Sequence, residues 1–187
     1  ATGGMTTDIV LSSDGNRACA VDEMYGTAVL VKITGFAETL SDAVARVRDA
    51  LRAYLASATL TKRQREYLSD AVDKLEGNKG GLAENGVLDK LENGDLEAAL
   101  AKIAQVIGKL TQAASVGVNT VPLQKSLAEG AAVSTEQYVV QKEGELGLTD
   151  AVIAARGLLS QGKEASAGGE YLRAVRLFKD AVAAFIE

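Results

Sequence analysis

The chain has two hydrophobic rhythms, and the change between them falls near Gly35. Before it, apolar residues come in short runs and alternations bounded by turn residues. Asp8-Ile9-Val10-Leu11-Ser12 leads into Ser13-Asp14-Gly15-Asn16, and Arg17-Ala18-Cys19-Ala20-Val21 into Asp22-Glu23-Met24-Tyr25-Gly26. Thr27-Ala28-Val29-Leu30-Val31-Lys32-Ile33 closes the series. This pattern predicts three strands in a β-meander, which is too small to be stable by itself.

From Phe36 onward the apolar positions recur with a period of about 3.6, the spacing that lines up one face of an α-helix. Phe36, Leu40, Ala43, Val44, Val47, Leu51, Tyr54 and Leu55 form the first stripe. Thr61-Lys62-Arg63-Gln64 has capping-box spacing and starts a second helix, buried through Leu68, Ala71, Val72 and Leu75 and broken by Gly77 to Gly81. A short helix is expected over Leu82 to Leu91, interrupted at Asn85-Gly86. Leu96, Leu100, Ile103, Val106, Ile107 and Leu110 make the clearest stripe. Ser115 to Pro122 reads as a loop, because Gly117, Asn119 and Pro122 oppose a continuous helix.

Two separate pieces are expected next. Leu123, Leu127 and Ala131 suggest one helix, and Ser134-Thr135-Glu136-Gln137 is a second capping box before Tyr138, Val139 and Val140, with Gly144 and Gly147 as breaks. Leu148-Thr149-Asp150 then opens a helix carrying Val152, Ala155 and Leu159. After Gly168-Gly169, the residues Tyr171, Val175, Phe178, Val182 and Phe185 predict a last helix running to the C-terminus. The expected fold is mainly α: antiparallel helical hairpins or a bundle of about six or seven helices (36–187), with a β-rich segment (1–35) in front.

The helical part carries an internal echo. Gly94-Asp95-Leu96, Ala99, Leu100 and Ile103 align with Gly169-Glu170-Tyr171, Ala174, Val175 and Phe178, 75 positions on. Leu68-Ser69-Asp70-Ala71-Val72 matches Leu148-Thr149-Asp150-Ala151-Val152, 80 positions on. Two helical-hairpin repeats (60–114 and 148–187) with an insertion or deletion between them account for both, although generic hairpins converge on the same glycine and acidic-residue chemistry.

Composition narrows the chemistry. Aromatics are scarce and Trp is absent, so the core must be built from Ala, Leu, Val and Ile. Net charge is −5, which argues against a nucleic-acid partner. No apolar run reaches the ~20 residues of a membrane span. The chain has no histidine, the commonest general base and metal ligand, and a single cysteine, Cys19, that cannot form an internal disulfide. Cys19 lies in an apolar run, as a buried structural thiol does. The first residue is Ala1 and no signal-peptide pattern follows it. Either a leader has been removed or the chain is one piece of a longer protein, and the second is the expectation.

Each residue group with chemical potential has a plainer alternative. Lys62-Arg63-Gln64-Arg65 could touch an acidic partner, but charge runs are usually solvated helix faces. Asp70 and Asp73 stand three apart beside Lys74 on a polar face. Lys125 and Ser126 are sequence neighbours, which point to different sides of a helix. Gly77-Asn78-Lys79-Gly80-Gly81 lacks phosphate-loop spacing. Asp89, Asn93 and Asp95 could offer oxygens to calcium, although helix capping explains Asn93 and Asp95 without an ion. Tyr138 completes the candidates for an enzyme whose reactive group comes from elsewhere. No catalytic, cofactor-binding or metal residue is assigned.

Two resemblances add context. Leu11-Ser12-Ser13-Asp14-Gly15, Ala18 to Val21 and Gly26-Thr27-Ala28-Val29 resemble one blade of a YVTN- or NHL-type β-propeller, and a lone meander capping the helices is the equal alternative. Leu60-Thr61, Leu68, Leu75, Gly94-Asp95 and Ala99 resemble the helical C-terminal module of secreted bacterial proteins called FIMAH-like, as do Leu148-Thr149, Gly169-Glu170 and Ala174. The hairpin from Leu158 to Phe185 is similar to a tetratricopeptide-type hairpin. The resemblance to secreted-protein modules implies an extracellular, cell-surface or periplasmic setting beside catalytic or propeller domains, without enzymatic residues of its own. The expected function is therefore a non-catalytic structural or protein-interaction module acting in assembly, with a protein partner or a second copy. The alternative is a ligand- or calcium-binding accessory domain of a secreted enzyme.

Overall fold

A computed structural model describes the backbone of 7–11, 17–22 and 27–32, and of 39–186 except 58, 80, 81, 84 and 85; side chains are described over 39–186, apart from 58 and 78–85. The chain divides into two compact units, Ala1–Glu38 and Thr39–Glu187. In the first, Thr7–Leu11 (β1), Arg17–Asp22 (β2) and Thr27–Lys32 (β3) pair antiparallel, with Ile9 opposite Ala20 and Ala20 opposite Val29. The turns at 12–16 and 23–26, which carry most of the blade-like motif, lie outside the described residues, as does Phe36.

The second unit is helical, with seven helices among the described residues: Leu40–Ala56 (α1), Lys62–Glu76 (α2), Val87–Glu92 (α3), Leu96–Ser115 (α4), Val121–Leu146 (α5), Asp150–Ala167 (α6) and Tyr171–Ala183 (α7). Between α2 and α3, Asn78–Lys79 (β4) pairs with Leu82–Ala83 (β5). The short helix expected from Leu82 therefore starts only at Val87. Gly86 must stay a glycine there, since a Cβ would lie 2.5 Å from the Leu75 carbonyl oxygen.

The apolar stripes close against one another as helical periodicity requires. Leu40, Val44, Val47 and Leu51 of α1, Leu68 and Leu75 of α2, Leu100, Ile103, Val106, Ile107 and Leu110 of α4, and Val175, Phe178 and Val182 of α7 share one buried cluster. Helices α4 and α7 pack together at its centre, with α2 alongside α4 and α6 alongside α7. Two caps fall where the sequence put them. Thr61 and Gln64 form the full capping box of α2, and the Thr149 hydroxyl accepts from Val152 N–H at the start of α6.

Helix α5 departs from expectation. Instead of two pieces parted near Ser134, it runs unbroken for 26 residues. Gly130 is no breaker, because it faces α1 so closely that a Cβ would lie 2.8 Å from the Ala43 Cβ. Ser134 caps a different helix: its Oγ accepts from the Leu40 N–H, one of the orphan donors at the start of α1, at 3.1 Å. The helix ends at Gly147, whose φ of 69° suits a glycine. Pro122 sits in its first turn, where a missing N–H costs nothing. At the other end of the chain, α7 stops at Ala183. Phe185 lies beyond it, edge-on to Tyr138 with ring centres 5.8 Å apart.

The two α-hairpin turns that align 75 positions apart share one geometry. Gly94 and Gly169 both take positive φ, and Asp95 N–H donates to the Lys90 carbonyl as Glu170 N–H does to that of Ala165, each at 2.8 Å. This is the αL-terminated closure that lets a helix stop and the next begin at once. The alignment 80 positions apart does not hold in space. Leu68 lies in the middle of α2, whereas Leu148 and Thr149 precede α6; the counterpart of Thr149 is Thr61.

Candidate functional site

The residues singled out from sequence are mostly wired into the fold. Arg65 donates to the carbonyls of Leu55 at 2.6 Å and Ser57 at 3.1 Å, and Gln64 reaches the Val116 carbonyl at 2.8 Å. The basic run thus clamps the α1–α2 turn and ties it to the end of α4. Lys125 and Ser126 part company: Lys125 faces Glu129 at 3.7 Å, while the Ser126 hydroxyl accepts from Arg46 of α1 at 2.7 Å. Asp89 and Asp95 both act as caps, accepting from Gly86 N–H at 2.7 Å and Ala98 N–H at 3.1 Å, and Lys90 stands 3.8 Å from Asp95. Among the described residues no group of three or more His, Cys, Asp or Glu is placed to hold a metal ion. The Cys19 side chain lies outside the described residues.

Asp70 and Asp73 do come together with basic residues. They line a cleft of about 160 Å³ between α2 and α4 with Lys74, Lys102, Gln105 and Lys109. Lys109 Nζ lies 2.7 Å from Asp70 Oδ2 and 6.0 Å from the centre of the Tyr67 ring, and Lys74 donates to Gln105 at 3.0 Å. Of the two carboxylates and three ammonium groups lining the cleft, Asp70 and Lys109 form the ion pair among the described residues.

A second feature was not legible as a site. The ion pairs Glu143–Arg156 and Glu136–Lys163 (2.8 Å) bind α5 to α6 in one register, with Leu146 and Ile153 on either side of the turn at Gly147. Val140, Leu146, Leu148 and Ile153 are 60, 53, 69 and 55% exposed along this edge. Isolated exposed apolar residues are ordinary, but four of them fall within the short stretch from Val140 to Ile153. The available signal was that Leu146, Leu148 and Ile153 fall off the buried stripes of α5 and α6.

Beside this edge, Lys142 donates to Glu145 at 2.7 Å. The resulting hydrogen bond raises the Lys142 ammonium above its ordinary pKa and lowers the Glu145 carboxyl below its own, with a second donor from Gln141. Both groups are at the surface. Among the described residues no helix is long and apolar enough to cross a membrane. No protein-family model, curated protein or solved structure matches the chain.

Proposed function

We propose that the chain is a non-catalytic protein-interaction module that joins copies of itself, and that the α5–α6 edge is the contact face. The observation that carries this reading is that four of the seven exposed large apolar side chains among the described residues, Val140, Leu146, Leu148 and Ile153, fall on the end of α5, the start of α6 and the turn between them. The row is bordered by both signs of charge, Glu136 and Glu143 on α5, Lys163 and Arg156 on α6. A face carrying its own opposite charges on antiparallel helices is complementary to itself under two-fold rotation, the geometry of the commonest homodimers. Burying these four side chains would supply a few kcal/mol of hydrophobic stabilisation, at roughly 1.5–3 kcal/mol for each large side chain fully buried.

The setting we propose is extracellular, cell-surface or periplasmic. Support for it comes from the FIMAH-like and tetratricopeptide-like hairpin motifs and the blade-like Ser13-Asp14-Gly15 and Gly26-Thr27 pattern of the first 35 residues. The paired turns at Gly94 and Gly169 favour the two-repeat reading of the helical unit.

Sedimentation velocity of the full chain over micromolar to millimolar concentration tests the contact face. Dimerisation is expected, and Leu148→Asp with Ile153→Asp should abolish it without lowering helical content. A chain that stays monomeric throughout, or a dimer indifferent to both substitutions, overturns the assignment.

A further inference from the structure

Helix α4 turns Leu100, Ile103, Ile107 and Leu110 inward, and its opposite face lies between α2 and α7. That outward face is built from residues with little or no side chain. Ala101, Ala104 and Gly108 are each only half-buried, and the longer side chains of Leu172, Arg176 and Lys179 on α7 line a recess with them. The result is a trough. One cleft of about 490 Å³ runs along Ala101, Ala104 and Gly108 against Leu172, Arg176 and Lys179. A second, of about 420 Å³, continues from Leu172 and Arg176 towards Tyr171 and Thr111, and Gln105 joins the first to the α2–α4 cleft.

Gly108 sets the depth of the trough. A glycine inside a helix is less stable than alanine by about 1 kcal/mol, and at Gly108 no neighbour demands it: a Cβ would meet nothing within 4 Å. What its absence preserves is open space on the outer surface.

The rim has a definite sign. Six cations and four carboxylates line the three clefts, on a chain whose net charge is −5. Lys109 is satisfied by Asp70, Arg173 by Glu170 and Lys179 by Asp180 and Glu97. Among the described residues, Lys102 in the α2–α4 cleft and Arg176 in the other two make neither an ion pair nor a hydrogen bond. One such cation in each of two adjoining clefts, with the apolar Ala101, Ala104, Gly108 and Leu172 lining the second, matches a ligand with an apolar ridge and carboxylates on its flanks.

We infer that the α2–α4–α7 trough binds an acidic amphipathic helix of a partner protein. Its apolar ridge lies on Ala101, Ala104, Gly108 and Leu172, and its flanking carboxylates pair with Lys102 and Arg176. A single helix is about 10–12 Å across with side chains, and small residues on the trough floor are what let one approach closely. The inference rests on the interaction-module reading but uses a different face from the α5–α6 edge.

The test is fluorescence anisotropy with the full chain and a labelled 18-residue helical peptide, leucines on one face and glutamates on both sides. Its twin carries glutamines in place of the glutamates. The glutamate peptide should bind with an affinity that falls as salt rises, and the glutamine twin should bind more weakly. Lys102→Glu and Arg176→Glu should each weaken binding about three- to tenfold, the scale of reversing an exposed charge pair. Gly108→Leu should remove binding while leaving the melting temperature at or above that of the parent. Leu148→Asp with Ile153→Asp should leave peptide binding intact, which separates this site from the self-association face. Absence of glutamate-peptide binding, equal binding of the twin, or indifference to the trough substitutions overturns the inference. So does a trough that prefers phosphatidylserine vesicles to the peptide, since the partner would then be a membrane surface.

Discussion

Gly162→Ala brings two opposing effects of similar size into one position. Gly162 lies inside α6, where alanine is intrinsically better than glycine by up to ~1 kcal/mol. Its missing side chain, however, is where the Phe178 ring sits. An added Cβ would come within 2.3 Å of Phe178 Cε1 and 2.6 Å of Cδ1, against the roughly 3.5–4.0 Å of comfortable carbon contact. Phe178 is wholly buried between α6 and its neighbours, so the ring cannot retreat without displacing other core residues. Approaches this short put the cost in the upper part of the overpacking range, about 2–3 kcal/mol, which leaves a net loss of about 1–2 kcal/mol after the helical gain. For a chain of this size that lowers the melting temperature by about 2–8 °C.

Gly108→Ala is the matched control. It is also in a helix interior, but with nothing in the way of a Cβ, so it should raise stability by up to ~1 kcal/mol. Urea unfolding followed by far-ultraviolet circular dichroism measures both. The Gly162→Ala, Phe178→Leu double variant should recover part of the loss, revealing coupling between the two sites. If Gly162→Ala is as stable as the parent, or Gly108→Ala is less so, the packing account of the α6–α7 contact is wrong.

Gly130→Ala should destabilise for the same reason, by about 1–2 kcal/mol in urea unfolding, because its Cβ would press on the Ala43 Cβ at 2.8 Å and the Leu40 Cα at 3.1 Å. Ser134→Ala deprives the first N–H of α1 of its acceptor and should cost about 0.5–2 kcal/mol, with hydrogen exchange at Leu40 accelerated. Thr61→Ala removes half of the α2 capping box and should cost about 1 kcal/mol, most visible as faster exchange in residues 62–65. The Glu145 carboxyl is held down chiefly by the Lys142 hydrogen bond and secondarily by Gln141. Its small contribution to stability is thus present above the ordinary carboxylate pKa and is lost as pH falls through the lowered value. Lys142→Ala should bring the Glu145 titration, read by carboxyl carbon NMR, back towards the ordinary range; an unmoved titration contradicts the pairing.

Periodicity alone was enough for helices whose buried face is apolar. The stripes on α1, α2, α4, α6 and α7 are visible because each of these helices buries Leu, Ile, Val or Ala on one side. Thr61 and Thr149 marked their caps because a hydroxyl before a polar first turn satisfies orphan N–H groups locally. Helix α5 escaped that logic. It packs against α1, α4, α6 and α7, and its buried positions include Gln124, Ser126, Gly130 and Thr135 as well as Leu127 and Val139. Gln124 is bonded to Thr120 and Ser126 to Arg46, partners far enough away or polar enough that no hydrophobic stripe records the burial.

The same division governs the surface. Sequence determined that Asp70, Asp89, Asp95 and Ser126 fall in helical or helix-flanking positions, but their partners came from other elements or from cap geometry. Only the tertiary structure could decide that Arg156 pairs with Glu143 between α6 and α5, or that Ala101, Ala104 and Gly108 of α4 line a recess with Leu172 and Arg176 of α7. A one-dimensional pattern records which side of a helix is oily. Which helices stand beside it, and so whether its polar side is a ridge or a recess, depends on contacts between residues far apart in the chain.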